Sequence, residues 1–458
     1  MRNKKLVKII AAVLICYFLF QVILYTFIHS RQDDSSEGSR QVESHEEDEK
    51  RISSFRNVFD FVTECHNHGI PLILLDSTVL HSVITLQSSA TKECLFFCDL
   101  NGSTVFGVLS QLWTHDKSFL DDLKDNGFRS HYVMERDTSA LEYLSLSENV
   151  YTHYMIERYG HIIHLVILYS RPDSYWWLGH VRQNIITYDE SEALDNHLSV
   201  ELNDSFTKEG AYDIAELIKV TMDGIKVRAP RYPKVFLDQI SQSAFLRCNQ
   251  SRAKLFHGLY GGPGDGSETF REAAKETLYL VKKTLDILGV RFWLSSGTCL
   301  GWFRQCDTIS YSGDVDIGIW IKDYSRQLIP AMQQAGFVLK HLFGKESDSF
   351  ELSFYNGDMK LDIFFFYEED DHMWNGGTQV KTGNKYKYIF PKFSLCWTEF
   401  LEMKLRVPCN TQAYIEANYG EKWFEPVKMW DWKSSPPNVR PNGRWPEEEW
   451  DKVILSFG

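Results

Sequence analysis

Residues 311–320 read YSGDVDIGIW, and inside this apolar, β-branched run Asp314 and Asp316 stand one residue apart. Side chains alternate across a strand, so both carboxylates point one way while Val315 and Ile317 point the other. Two like charges about 6–7 Å apart repel unless a cation sits between them. The plain alternative is a solvated turn or strand end, or a separate salt bridge for each acid. A third carboxylate argues against it, because Asp362 lies in MKLDIFFFY (359–367), a stretch otherwise committed to burial. Alone there, it would carry a large desolvation cost or take up a proton. Meeting Asp314 and Asp316 around Mg2+ or Mn2+ removes that cost, since hard cations take oxygen ligands and also grip phosphate oxygens.

The complementary part is the turn in WLSSGT. Ser296, Gly297 and Thr298 open a short helix, whose first backbone N–H groups and positive dipole end suit a phosphate. Arg304 on that helix and Lys360 beside the third acid supply further positive charge. His372, in DHMWNGG, is a candidate base or substrate contact, with a structural role as the alternative. The tail tryptophans (Trp423, Trp430, Trp432, Trp445, Trp450) offer surfaces for cytosine or sugar, or simply pack an irregular, Pro-rich C-terminus. Lys433 and Arg440 are candidates for an acceptor's phosphate.

The elements that must position these groups follow one another in order. TFREAAKETLYLVKKTLDILG reads as an amphipathic helix, with Thr269 and Glu272 as a capping box and Gly289 as its stop. VRFWLSSG (290–297) reads as a strand into the turn, TCLGWFRQ (298–305) as a helix, and the aspartate strand comes next. Another helix (323–336) precedes the strand that holds Asp362. The order helix, strand, Ser-Gly turn, helix, D-x-D strand and third-Asp strand resembles the nucleotidyltransferase fold, which implies such a domain with a mixed sheet over 269–458.

Upstream, GLYGGPGDGSE reads as a linker at 258–268, and residues 52–257 as an N-terminal α/β module. In that module the helix-spaced Phe55, Val58, Phe59 and Val62 precede β-like runs at 70–76, 94–99 and 161–170. His153, His161, His164 and His180 have no paired acids and read as packing or surface residues, and SYWWLGH (174–180) as core.

The chain has 458 residues, 43% hydrophobic and 24% charged, with a net charge of −13. Length predicts two folded domains, and the acidity excludes broad nucleic-acid binding. Ile9 to Ile28 forms an apolar run with Arg2, Lys4, Lys5 and Lys8 before it. This predicts a cytosolic tail (1–8), a type II transmembrane anchor (9–28) and an acidic stem (29–51), with the remainder lumenal. Eight cysteines past the anchor fit disulfides of open pairing. Sequons at Asn101, Asn203 and Asn249 are N-glycosylation candidates. The expected fold class is α/β (α+β): a transmembrane helix, an N-terminal α/β module and the nucleotidyltransferase-like domain.

WLSSGTCLGWFRQCDTISYSGDVDIGIW, KLDIFFFYEEDDHMWNGGTQ and LCWTEFLEMKLRVPCNTQAYIEANYGEKW together resemble the fukutin/LicD-type family. The likeness spans about 269–458 and continues more loosely through CLFFC and SYWWLGHVR. The resemblance implies a Golgi ribitol-5-phosphate transferase. Such an enzyme takes ribitol 5-phosphate from CDP-ribitol to the N-acetylgalactosamine of the phosphorylated O-mannosyl trisaccharide on α-dystroglycan. It also implies fukutin-related protein and other O-mannose enzymes as partners, the Golgi membrane as location, and allows a homo-oligomer. By position it makes Asp314, Asp316 and Asp362 the metal-binding acids; Asp362, on the neighbouring strand, can face the incoming hydroxyl and is the candidate general base. Where the wider pattern has Gly-Ser, this chain has Ser296-Gly297-Thr298, which leaves open which hydroxyl touches phosphate. Two alternatives stand beside this reading: transfer of another CDP-activated alcohol phosphate such as phosphocholine, and a non-enzymatic Golgi scaffold.

Overall fold

The computed structural model describes residues 52–85, 95–98, 102–113, 115–135, 150–181, 186–187, 202, 205–262, 264 and 266–457. Two sheets organise them. The first has ten strands, with the His161–Arg171 strand near its centre, parallel to Ser103–Leu109 on one side and antiparallel to Val150–Arg158 on the other. One core gathers on this sheet beneath the helix at 52–67 and the helices Ser77–Thr85 and Lys117–Asp125. Trp176 and Leu178 are buried there and Trp177 in a smaller cluster with Tyr175 and Phe245, as the aromatic run predicts. The expected strand at 94–99 is absent from the described part of that run. Instead the backbone N–H groups of Leu95, Phe96 and Phe97 converge at 2.8–2.9 Å on the Asp223 carboxylate, a bend that no ladder partner could satisfy.

The second sheet has nine strands and carries the acids. Helix Ser267–Leu288 packs Ala274, Leu278, Val281 and Leu285 into its core, and Gly289 ends it in the left-handed conformation at φ 67°. Its start differs from expectation: Gly266, at φ 81°, is the N-cap, so Thr269 lies inside the first turn and forms no capping box. Strand Phe292–Leu294 leads directly into helix Ser296–Gln305, and then the aspartate strand, Asp314–Trp320, begins. That strand pairs in parallel with Met359–Glu368, which in turn pairs antiparallel with Asp348–Asn356 through a two-residue turn at Gly357 and Asp358.

The hairpin of Leu395–Phe400 and Met403–Pro408 joins the two halves. Phe245 bridges to Trp397, Arg171 donates to both Glu399 oxygens at 3.1 and 2.8 Å, and Lys404 reaches Asp213 at 2.7 Å. Disulfides link Cys248 to Cys306 and Cys396 to Cys409, whereas Cys65 and Cys299 are buried free thiols.

One part of the expected fold class is corrected. The fold is mixed α/β, and no helix among the described residues is long and apolar enough to cross a membrane. The anchor expected at 9–28, like the tail and stem around it, lies outside the described residues, as do Cys94, Asn101 and Asn203.

Candidate active site

The parallel register sets Asp316 directly beside Asp362, and Asp314 beside Lys360. Oxygens of Asp314, Asp316 and Asp362 all lie within 4.8 Å of one another. Asp316 and Asp362 are buried and Asp314 is half-buried, at the floor of a cavity of about 910 Å³. Burial pushes the Asp316 carboxyl well above its ordinary range, and the charges of Asp314 and Asp362 push the same way. Burial likewise raises Asp314. Lys360 partly compensates, with its Nζ 2.6 Å from Asp362 Oδ2 and its own ammonium form strengthened by these acids. Three carboxylates against one lysine leave a net negative oxygen cluster, a donor set that fits a hard divalent cation.

The turn is used differently from the expected cradle. Gly297 N–H donates to Asp316 Oδ2 at 2.9 Å, and Asp316 N–H donates to Thr298 Oγ1 at 2.8 Å. Two of the presumed phosphate groups therefore fix the aspartate strand. Ser296 and Gly297 line the cavity, while Thr298 is buried behind its wall. A Cβ at Gly297 would stand 3.1 Å from Ser312 Oγ and 3.3 Å from Asp316 Oδ2, so any larger residue would push these side chains aside by a few tenths of an ångström.

Arg304 is almost completely buried, lines the cavity, and lies 4.4 Å over the Phe256 ring. It donates to Gln305 Oε1, and it has no acidic partner among the described residues. Burial lowers its pKa. A desolvated guanidinium in a cavity wall, with no carboxylate partner among the described residues, has the chemistry to receive an anion. His372 is not brought to the cavity: it pairs with Asp371 at 2.6 Å at the start of its strand. Trp423, Trp430, Trp432 and Lys433 do line it, whereas Trp445 is buried beneath Lys385, and Arg440 binds the carbonyls of Pro437 and Val439. Asn249 caps helix Gln250–Tyr260 by accepting from Arg252 N–H at 2.8 Å.

Sequence reasoning missed three lining residues. Lys422 and Lys428 reach the cavity from an irregular segment with no periodicity to read. Glu351 lines it from Asp348–Asn356, where a charged residue amid buried neighbours was the available signal.

A Ser-Gly turn opening a helix, with three acids on two parallel strands, defines a nucleotidyltransferase-type domain. Residues 289–410 match the LicD/FKTN/FKRP nucleotidyltransferase domain, and residues 1–275 match the Fukutin N-terminal domain. The chain belongs to the fukutin family. It is 44% identical over 417 residues to human "Ribitol-5-phosphate transferase FKTN", covering 88% of this chain and 89% of that protein. It is also 32% identical over 160 residues to human "Ribitol 5-phosphate transferase FKRP", covering 32% of this chain and 31% of that one. A solved lincosamide antibiotic adenylyltransferase covers 29% of this chain and 78% of its own, at 17% identity and a TM-score of 0.21.

Proposed function

We propose that this chain is a ribitol-5-phosphate transferase whose donor is CDP-ribitol. The observation that carries the reading is the likeness to the human transferase along nearly its whole length, together with an intact carboxylate cluster at the matching domain's cavity. Mg2+ or Mn2+ held by Asp314, Asp316 and Asp362 would supply charge neutralisation on the donor diphosphate.

The chain's own groups do the rest. Gly297 N–H and the Thr298 hydroxyl lock Asp316 in place, and Lys360 does the same for Asp362. Arg304 offers its guanidinium to phosphate oxygens, and Trp423, Trp430 and Trp432 supply flat surfaces for cytosine or sugar. An acceptor hydroxyl attacks the phosphorus that carries ribitol, the bond from that phosphorus to the bridging oxygen breaks, and CMP leaves with the electron pair. Positioning and charge compensation provide most of the acceleration in such transfers.

The acceptor in this reading is the N-acetylgalactosamine of the phosphorylated O-mannosyl glycan on α-dystroglycan, in the Golgi lumen, alongside fukutin-related protein. The Cys248–Cys306 and Cys396–Cys409 disulfides and the exposed Asn249 sequon support an oxidising secretory compartment. The test offers the full chain CDP-ribitol or CDP-choline with a phosphorylated core glycopeptide and measures transfer. Product from CDP-ribitol is expected; product from CDP-choline alone would move the reading to the phosphocholine alternative.

A further inference from the structure

We propose that Glu351, rather than the third acid, Asp362, is the catalytic base that takes the proton of the acceptor hydroxyl. This rests on the transferase reading above. Both Asp362 oxygens are occupied, Oδ1 by the Ser353 hydroxyl at 2.6 Å and Oδ2 by Lys360 at 2.6 Å. Its two oxygens are thereby held by Ser353 and Lys360 within the carboxylate cluster.

Glu351 is placed differently. Ser353 stands across from Asp362 in the antiparallel pair, and Glu351 stands across from Phe364, one pleat further along the same face. One strand over and two residues along puts its backbone about 8 Å from that of Asp362, which leaves room for a phosphoryl group between them. Its side chain lines the cavity and has no hydrogen-bond or ion-pair partner among the described residues. The ionisable groups around it are Asp362 and Lys360 on one neighbouring strand, His341 on the other, and Tyr388 from the far wall. Burial, then the Asp362 charge, push the Glu351 carboxyl up to about 8, against the pull of Lys360. A base tuned near neutrality is the effective kind. In the step, the acceptor oxygen bonds to phosphorus as its proton passes to Glu351, and the bond from phosphorus to the CMP oxygen breaks.

The test compares the wild-type full chain with Glu351→Gln and Glu351→Asp, measuring CMP release from CDP-ribitol and CDP-choline with acceptor present. Melting temperature is recorded for each protein. Glu351→Gln should lower kcat about 100-fold or more, with donor KM within about twofold of wild type, and flatten the acidic limb of the pH–rate profile. Glu351→Asp, which keeps a carboxylate, should recover at least about tenfold of that loss. Turnover of Glu351→Gln within about threefold of wild type, or a loss confined to donor KM, overturns the proposal. If Glu351→Gln does not fold, a Glu351→Asp kcat within about twofold of wild type overturns it instead. Wild-type activity on CDP-choline alone overturns the ribitol reading and leaves Glu351 tested on that donor; a wild type inert toward both overturns the two together.

Discussion

Asp316 and Asp362 occupy one register position of a parallel strand pair, so two buried carboxylates face the same cavity side by side. Nothing in folding alone favours this. For Asp316, burial and the charges of Asp362 and Asp314 oppose ionisation, offset in part by Lys360 and by the Gly297 N–H. The arrangement therefore costs stability and is explained by what it can bind.

Gly297 sets the distance between the turn and that pair. Gly297→Ala forces a Cβ to within 3.3 Å of Asp316 Oδ2 and should displace the carboxylate by a few tenths of an ångström. Transfer is expected to fall about tenfold or more, with little change in melting temperature. Steady-state kinetics beside a thermal melt checks this.

Among the described residues Arg304 has no carboxylate to leave stranded, so its removal separates binding from folding. Arg304→Met should change stability little, because the loss of a desolvated charge offsets the loss of its contacts with Gln305 and the Phe256 ring. Donor affinity should weaken about 10- to 100-fold, the worth of one charge-assisted hydrogen bond. Titration of CDP-ribitol into each protein measures it.

The Arg171–Glu399 pair fastens the N-terminal sheet to the Leu395–Phe400 strand, and both side chains are buried. Glu399→Gln should destabilise the chain by about 3–5 kcal/mol, since it leaves the guanidinium uncompensated. Replacing both residues with apolar ones should recover most of that loss. Denaturant unfolding of the single and double variants gives the coupling.

His161 is buried, donates to or accepts from Thr104 at 3.1 Å, and burial lowers its pKa to about 4. The unfolded chain then binds this proton more readily than the folded one. Stability should accordingly fall as pH drops from about 6.5 toward 4 and be flat above that window. His161→Gln should reduce this slope, as read from chemical melts at a series of pH values.

Much of the site was legible because strand periodicity is simple. The spacing of Asp314 and Asp316, and the incongruous charge at Asp362, identify one face before any register is known. Gly289 was legible as a helix stop for the same local reason. Failures came where partners distant in sequence decide the outcome. Thr269 offered a capping box, but the chain enters its helix from Gly266. The expected 94–99 strand is replaced by a bend around Asp223, more than a hundred residues away. The Ser-Gly turn looked free to bind phosphate, yet Asp316 claims Gly297 N–H and Thr298. Glu351 joined the site only once the Gly357 turn had fixed which of its strand's faces meets Asp362.

The central claim is that Asp314, Asp316 and Asp362 act together as one cation site serving the donor. Calorimetric titration of Mn2+ into the full chain with CDP-ribitol present, for wild type and Asp316→Asn, tests it most directly. The account predicts a tight Mn2+ site in the wild type that disappears in Asp316→Asn while the melting temperature is kept or raised. Equal Mn2+ binding by the two proteins, or transfer that proceeds undiminished in EDTA, would contradict it.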